Sequence, residues 1–201
     1  MDNKTDRKDV PRGLAVIEAG VKRAERGGPA PVDSWNPPFC GDLDMRIAAD
    51  GTWYYLGTPI GRKRLVKLFA SVLRRDADGK YFLVTPVEKV GITVDDAPFL
   101  AVAMGVENAG PDQVIAFRTN VDDEVRVDDG HPLRFEMEEG TGGLKPYALV
   151  RGRLEALVAR AIYYDLVALG VIETVEGTPY FGVRSAGRFY PMAPAAALME
   201  A

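Results

Sequence analysis

Four arginines carry the most specific chemical signal in this chain. Arg62 and Arg64 open one amphipathic stretch, and Arg151 and Arg153 open another. Read as helices, both break a rule, because a helix N-terminus bears partial positive charge and disfavours cations in its first turn. A nearby anion would offset the conflict, and a planar guanidinium grips carboxylate or phosphate with two parallel hydrogen bonds. That anion is either an internal carboxylate, with Glu88, Asp95 and Asp96 as candidates, or an external ligand. Arg62, Arg64, Arg151 and Arg153 are therefore the expected ligand-binding residues.

Other chemistries find less support. Asp42 and Asp44 are two apart and share a face on a strand. Asp95-Asp96, Asp122-Asp123-Glu124 and Asp128-Asp129 are further sources of the oxygen ligands that Mg²⁺ or Ca²⁺ takes. The spacing of a calcium loop is missing, however, and Asp beside Gly or Pro is what turns require. One Cys and one His cannot supply the four ligands of a Cys/His zinc site. Cys40 in PPFCGD and His131 in DDGHPL both sit in turn-like surroundings, which speaks against a nucleophilic dyad. The loop Glu139-Gly140-Thr141-Gly142-Gly143 runs into the strand-like PYALV instead of opening a helix, so it cannot cradle a phosphate. No G-x-S-x-G or dinucleotide fingerprint is present. The expectation is no catalytic residue, no metal and no cofactor.

Charge and length narrow the classes further. The chain has 201 residues, 47% of them hydrophobic, enough for one domain or two small ones. A net charge of −4 argues against a dedicated nucleic-acid binder. Residues 62–75 are basic without an acid and 120–139 are strongly acidic, so the two stretches can attract each other within one chain or between two. No apolar run reaches the roughly 20 residues of a membrane span. The opening MDNKTDRKDVPRG lacks the order of a secretory signal, and a lone Cys permits no internal disulfide. A cytoplasmic protein is expected.

The elements that must position these residues follow from periodicity. Leu14, Ile17 and Val21 predict a short N-terminal helix ending at Gly27-Gly28, and the Pro-rich 29–38 an extended linker. Strands at 43–48 and 53–57 flank Asp50-Gly51. Leu65, Leu68, Phe69, Val72 and Leu73 line one face of a helix over 62–75, with Thr58 as N-cap and Pro59 in the first turn. Strands are predicted at 80–85, 89–94, 99–106 and 113–118, with shorter ones near 124–127 and 132–138. Leu154, Leu157, Val158, Ala161, Ile162, Leu166 and Leu169 predict a second helix over 151–169, ended by Gly170. Strands 171–175 and 178–184 meet at Glu176-Gly177, Pro179 marks an edge strand, and the tail from Pro191 reads as a short helix. The segment Arg62–Ala70 echoes Arg151–Ala159, which suggests a tandem repeat.

The blocks GDLDMRIAADGTWYYLGTPIGRKRLVKLFASVL, YFLVTPVEKVGITVDDAPF, FRTNVDDEV, HPLRF and PYALVRGRLEALVARAIYYDLV stand in this order. On them the chain resembles the bacterial family called domain of unknown function 1285, over residues 33–185. The resemblance implies an α+β fold with a repeated structural motif and an indirect link to signal transduction. It carries no catalytic residue over.

The expected fold is α+β: two tandem helix-plus-antiparallel-sheet units, 33–106 and 107–190, behind an N-terminal helix and linker over 1–32 and before a tail over 191–201. The expected function is a non-catalytic ligand-sensing or protein-interaction module, with a signalling role in view. The alternative is an enzyme acting on an anionic small molecule, metal-assisted through the carboxylates. The expected partner is a protein or a small anionic ligand, with no nucleic acid and no membrane, and a homo-oligomer is open.

Overall fold

In the computed structural model, residues 30–138, 140 and 142–198 are described. They divide into two compact units: one takes 30–46 and Thr52–Thr93, the other Ile47–Gly51 and 94–198. The predicted N-terminal helix around Leu14, Ile17 and Val21 lies outside the described residues.

The first unit is built on a six-stranded sheet. In chain order its strands are β1 (Phe39–Ile47), β2 (Trp53–Tyr55), β3 (Thr58–Pro59), β4 (Leu73–Arg75), β5 (Tyr81–Val84) and β6 (Lys89–Val94); in space the order is β3-β2-β1-β6-β5-β4. Along β1 the pattern is period two, with Asp42, Asp44 and Arg46 exposed and Met45 and Ile47 buried, so the strand turns one face to the core. Helix α1 (Lys63–Ser71) lays Phe69 and Ala70 inward, and Phe69 stacks on Trp53 with ring centroids 6.3 Å apart. The helix is shorter than expected. Val72 ends it, and the apolar pair Val72 and Leu73, predicted as part of its face, leads into β4 and stays buried there. Thr58 and Pro59 form β3, and the N-cap position belongs to Arg62, which gives no side-chain cap. The Pro-rich entry segment is pinned: Arg74 Nη1 donates to the carbonyls of Val32 at 2.9 Å and Trp35 at 2.8 Å.

The second unit holds a six-stranded and a three-stranded sheet. The first contains β7 (Phe99–Glu107), β8 (Val114–Thr119), β9 (Glu124–Arg126), β10 (Leu133–Met137), β11 (Leu144–Arg151) and β12 (Leu154–Val158), in the order β10-β11-β12-β7-β8-β9. It is two antiparallel meanders joined side by side through the parallel pair β12 and β7. Helix α2 (Arg160–Ala168) follows, then the antiparallel meander β13 (Gly170–Val175), β14 (Thr178–Ser185) and β15 (Arg188–Pro194). Two buried hydrogen bonds stitch β14 to the larger sheet: Ile115 N–H donates to Ser185 Oγ at 2.9 Å, and Ser185 Oγ donates to the Val127 carbonyl at 2.7 Å.

This architecture corrects the expected α+β fold of two tandem helix-plus-antiparallel-sheet units. The described residues are mostly β, with fifteen strands against two α-helices, and one sheet curls into a half-barrel. The second predicted helix is the main source of the error. Residues 151–158 end β11, turn at Gly152-Arg153 and form β12, where Leu154, Ala156 and Val158 alternate inward. Only Arg160–Ala168 is helical. The echo of Arg62–Ala70 in Arg151–Ala159 therefore pairs a helix with a strand hairpin. Each unit does place a three-stranded meander directly after its helix, but β6 pairs onward with β1 whereas β13–β15 stand as a separate sheet.

Three prolines are corrected as well. Pro179 lies on β14, the central strand of its sheet, and is tolerated because β15 ends opposite Tyr180. Pro191 and Pro194, expected in a helical tail, belong to the edge strand β15, where a missing N–H is harmless. A single 3-10 turn over Ala195–Leu198 follows.

Candidate functional site

The four arginines do not form one site. Arg62 and Arg64 do stand at the start of α1, whose first turn holds no acid, and both are exposed. Among the described residues neither makes an ion pair, so water screens them and the macrodipole conflict shrinks to tenths of a kcal/mol. Arg151 and Arg153 open no helix. Arg151 ends β11, where it bonds to the Asp123 carboxylate and lies 4.9 Å over the Phe99 ring. Arg153 is exposed in the turn that follows.

The carboxylates are taken up locally. Asp122, Asp123, Asp128, Asp129, Glu136 and Glu138 pair with Arg118, Arg151, His131, Arg188, Arg134 and Lys145 in turn, all within the second unit. Asp128 also shapes its turn, accepting from the backbone of Gly130 and His131. Burial pushes its carboxyl up, but these bonds outweigh it and hold the pKa below the usual value. The Cys40 thiol contacts the Pro38 carbonyl. Among the described residues no group of three His, Cys, Asp or Glu side chains is placed to hold a metal.

The densest polar network joins β10, β11 and the residues after β6. Tyr147, on β11 and 4% exposed, donates its hydroxyl to Asp96 Oδ1 at 2.7 Å, and Lys145 Nζ donates to Asp96 Oδ2 at 3.0 Å. Arg134 forks onto the Glu155 carboxylate and covers the Tyr147 ring with its guanidinium carbon 4.1 Å from the centroid. The Glu155 hydrogen bond raises the Arg134 pKa, and the Asp96 hydrogen bond raises that of Lys145. Every donor here already has its carboxylate, so the network locks three strands together and leaves no base poised toward a substrate.

That lock has a pH signature. Burial, followed by the bond to Asp96, raises the Tyr147 pKa above the ordinary 10.0. A group raised on folding contributes fully below its unfolded pKa and loses that contribution as pH rises through the folded one. Tyr190, raised by burial, acts in the same direction. The urea midpoint is expected to hold between pH 7 and 9 and to fall above about pH 10. In Tyr147→Phe the fall is expected to be shallower, and equal slopes in the two proteins would show that this phenol does not drive the alkaline loss.

A different feature has the shape of a binding site. The outer face of β7, β8 and β9 forms an open groove of about 540 Å³. Cross-strand register sets two rows on this face: Ala103, Arg118 and Glu124, then Gly105, Ala116 and Arg126. The floor is thus Ala103, Gly105 and Ala116, and charged side chains stand around it. Arg126 bonds to Glu107, and Arg118 lies 3.7 Å from Asp122. Phe117 and Val125 point the other way, into the core. A Cβ added at Gly105 meets nothing within 4 Å. None of the four expected arginines lines this groove, and no Ser, Cys, His or Tyr does. The small residues alternate along β7 in the sequence, but only the pairing with β8 shows that they share a floor.

A model for the N-terminal domain of DUF1285, a domain of unknown function, matches residues 30–97, and one for the C-terminal domain of DUF1285, a protein of unknown function, matches 98–192. The crystal structure of a DUF1285 family protein from Silicibacter pomeroyi DSS-3 is similar at 47% identity with a TM-score of 0.82, covering 91% of this chain and 97% of that one. A DUF1285 family protein from Shewanella baltica OS155 is 32% identical with a TM-score of 0.49, covering 63% of this chain and 91% of that one. No curated protein matches the chain.

Proposed function

The chain belongs to the DUF1285 family, described only as of unknown function, and on that premise we propose that it is a non-catalytic ligand-binding module that uses the groove over β7, β8 and β9. The observation that carries this reading is the composition of the groove. Its volume of about 540 Å³ suits a small molecule, its floor is small and apolar, and its walls carry two arginines and two glutamates. Opposite charges around an apolar floor complement a ligand that bears both a carboxylate and an ammonium group, such as an amino acid or a short peptide. Open access and the lack of a lining nucleophile favour binding over turnover. Among the described residues no helix is long and apolar enough to cross a membrane. We place the module in the cytoplasm, a reading supported by the exposed free thiol of Cys40, which a reducing compartment preserves.

The test is thermal unfolding against a panel of amino acids, dipeptides, dicarboxylates and diamines. A ligand bound only by the folded state raises the melting temperature with its concentration. Zwitterionic compounds are expected to do so in the wild type, and Gly105→Leu is expected to abolish the shift. That variant should fold, since the new Cβ points into open space. No shift with any compound, or an undiminished shift in Gly105→Leu, refutes the groove as a ligand site.

A further inference from the structure

We propose that two copies of this chain associate through β13, pairing antiparallel with each other to join their three-stranded sheets into one of six. The inference is independent of the groove. No other described strand pairs with the outer side of β13, which lies at the edge of its sheet. Proteins usually guard such an edge with lysine, proline or a bulge, because its open N–H and C=O groups invite another strand. β13 is GVIETV, with none of these guards, and its pairing with β14 runs without a bulge. Ile172 is 63% exposed and Val171 42%.

Register identifies the occupant. Glu176 and Gly177, with φ of 49° and 83°, form the two-residue turn between β13 and β14, so Val175 and Thr178 are a hydrogen-bonded pair. Such pairs alternate along an antiparallel ladder, so Glu173 and Val171 bond to β14, while Gly170, Ile172 and Thr174 direct their backbone groups outward. These three positions are their own complement. An antiparallel partner centred on Ile172 sets Ile172 against its copy and Gly170 against Thr174 of the other strand. The same register sets Glu173 opposite Val171, so no like charges meet. Glu173, the strand's one charge, is already forked by Arg184, with Nη2 2.6 Å from Oε2. The contact is isologous and closes on a two-fold axis, which accounts for a dimer and not a fibre.

Sedimentation of the full chain across a wide concentration range tests this. The wild type is expected to pass from monomer to dimer as concentration rises. Two substitutions separate the edge from other faces. Ile172→Lys puts two ammonium groups in contact at the axis, and Thr174→Pro removes an outward N–H without touching the ladder to β14. Both are expected to remain monomeric at every concentration while keeping the wild-type circular dichroism spectrum and melting temperature of the monomer. A wild type that stays monomeric overturns the proposal, as does a dimer that survives both substitutions. Slow hydrogen exchange at the Ile172 amide that does not depend on concentration also overturns it, because the edge is then covered within one chain.

Discussion

Trp53→Ala is expected to cost about 3–5 kcal/mol, the largest loss from a single substitution in the first unit. Trp53 is 1% exposed and Phe69, on which it stacks at 24° between ring planes, is 0% exposed. The stacked indole ties α1 to β2. The helix N-cap gives no side-chain hydrogen bond, and its first turn sets cations against the dipole. Against a typical total stability of 5–15 kcal/mol such a loss brings the unit close to unfolding. Trp53→Phe separates packing from polarity. The indole Nε1 is buried and no described group accepts its proton, so phenylalanine removes an unsatisfied donor while keeping a ring against Phe69. It is expected to cost less than half as much as alanine. Urea unfolding of both variants, followed by circular dichroism, checks the ratio, and equal losses would mean that the N–H is satisfied in solution.

The strand hairpins were legible because their turns announce themselves. Asp50-Gly51, Asp78-Gly79 and Glu176-Gly177 lie between runs of alternating or β-branched residues, and the strands predicted at 80–85, 89–94, 99–106 and 113–118 form as β5 to β8 within a residue or two. The segment 151–169 misled for a physical reason. Leu154, Leu157 and Val158 fit a helical stripe, while Leu154, Ala156 and Val158 fit a strand equally well, and short apolar runs do not separate the two periods. Gly152, with φ of 53°, turns the chain before β12. β12 is also buried in the middle of its sheet, between β11 and β7, and an interior strand carries an apolar run of this kind.

The candidate site was less legible than the fold. Arg62 and Arg64 could be placed at a helix start from their spacing alone, but nothing in the sequence says that Arg151 meets Asp123, 28 residues away. The acidic stretch over 120–139 suggests attraction to the basic stretch 62–75, within one chain or between two. In the structure Asp122, Asp123, Asp128, Asp129, Glu136 and Glu138 pair with arginines, a lysine and the histidine of the same unit. The groove was invisible because Ala103, Gly105 and Ala116 carry no chemical signal until the β7–β8 register brings them together. Long-range pairing is the information that local periodicity lacks.

Two glycines of the second unit, one crowded and one open, yield the other large effect. In Gly182→Ala the new Cβ would sit 2.3 Å from the Tyr190 carbonyl oxygen and 2.7 Å from the Phe189 ring. The first of these is backbone, held in the β14–β15 ladder next to the register shift between Phe181 and Gly182. Relief requires moving β15, and with it the buried Tyr190 and Met192. Overpacking of this kind costs about 1–3 kcal/mol and more where backbone must yield, so a loss of at least about 2 kcal/mol is expected. Gly105→Ala is the control from the same unit. It adds the same methyl group to open space in a strand, and it is expected to stabilise by about 0.4–1 kcal/mol through the entropy of the unfolded chain. Opposite signs in paired urea titrations are the expected result. A neutral Gly182→Ala would show that β15 shifts freely and that the close approach of the two strands at Gly182 is not required by the fold.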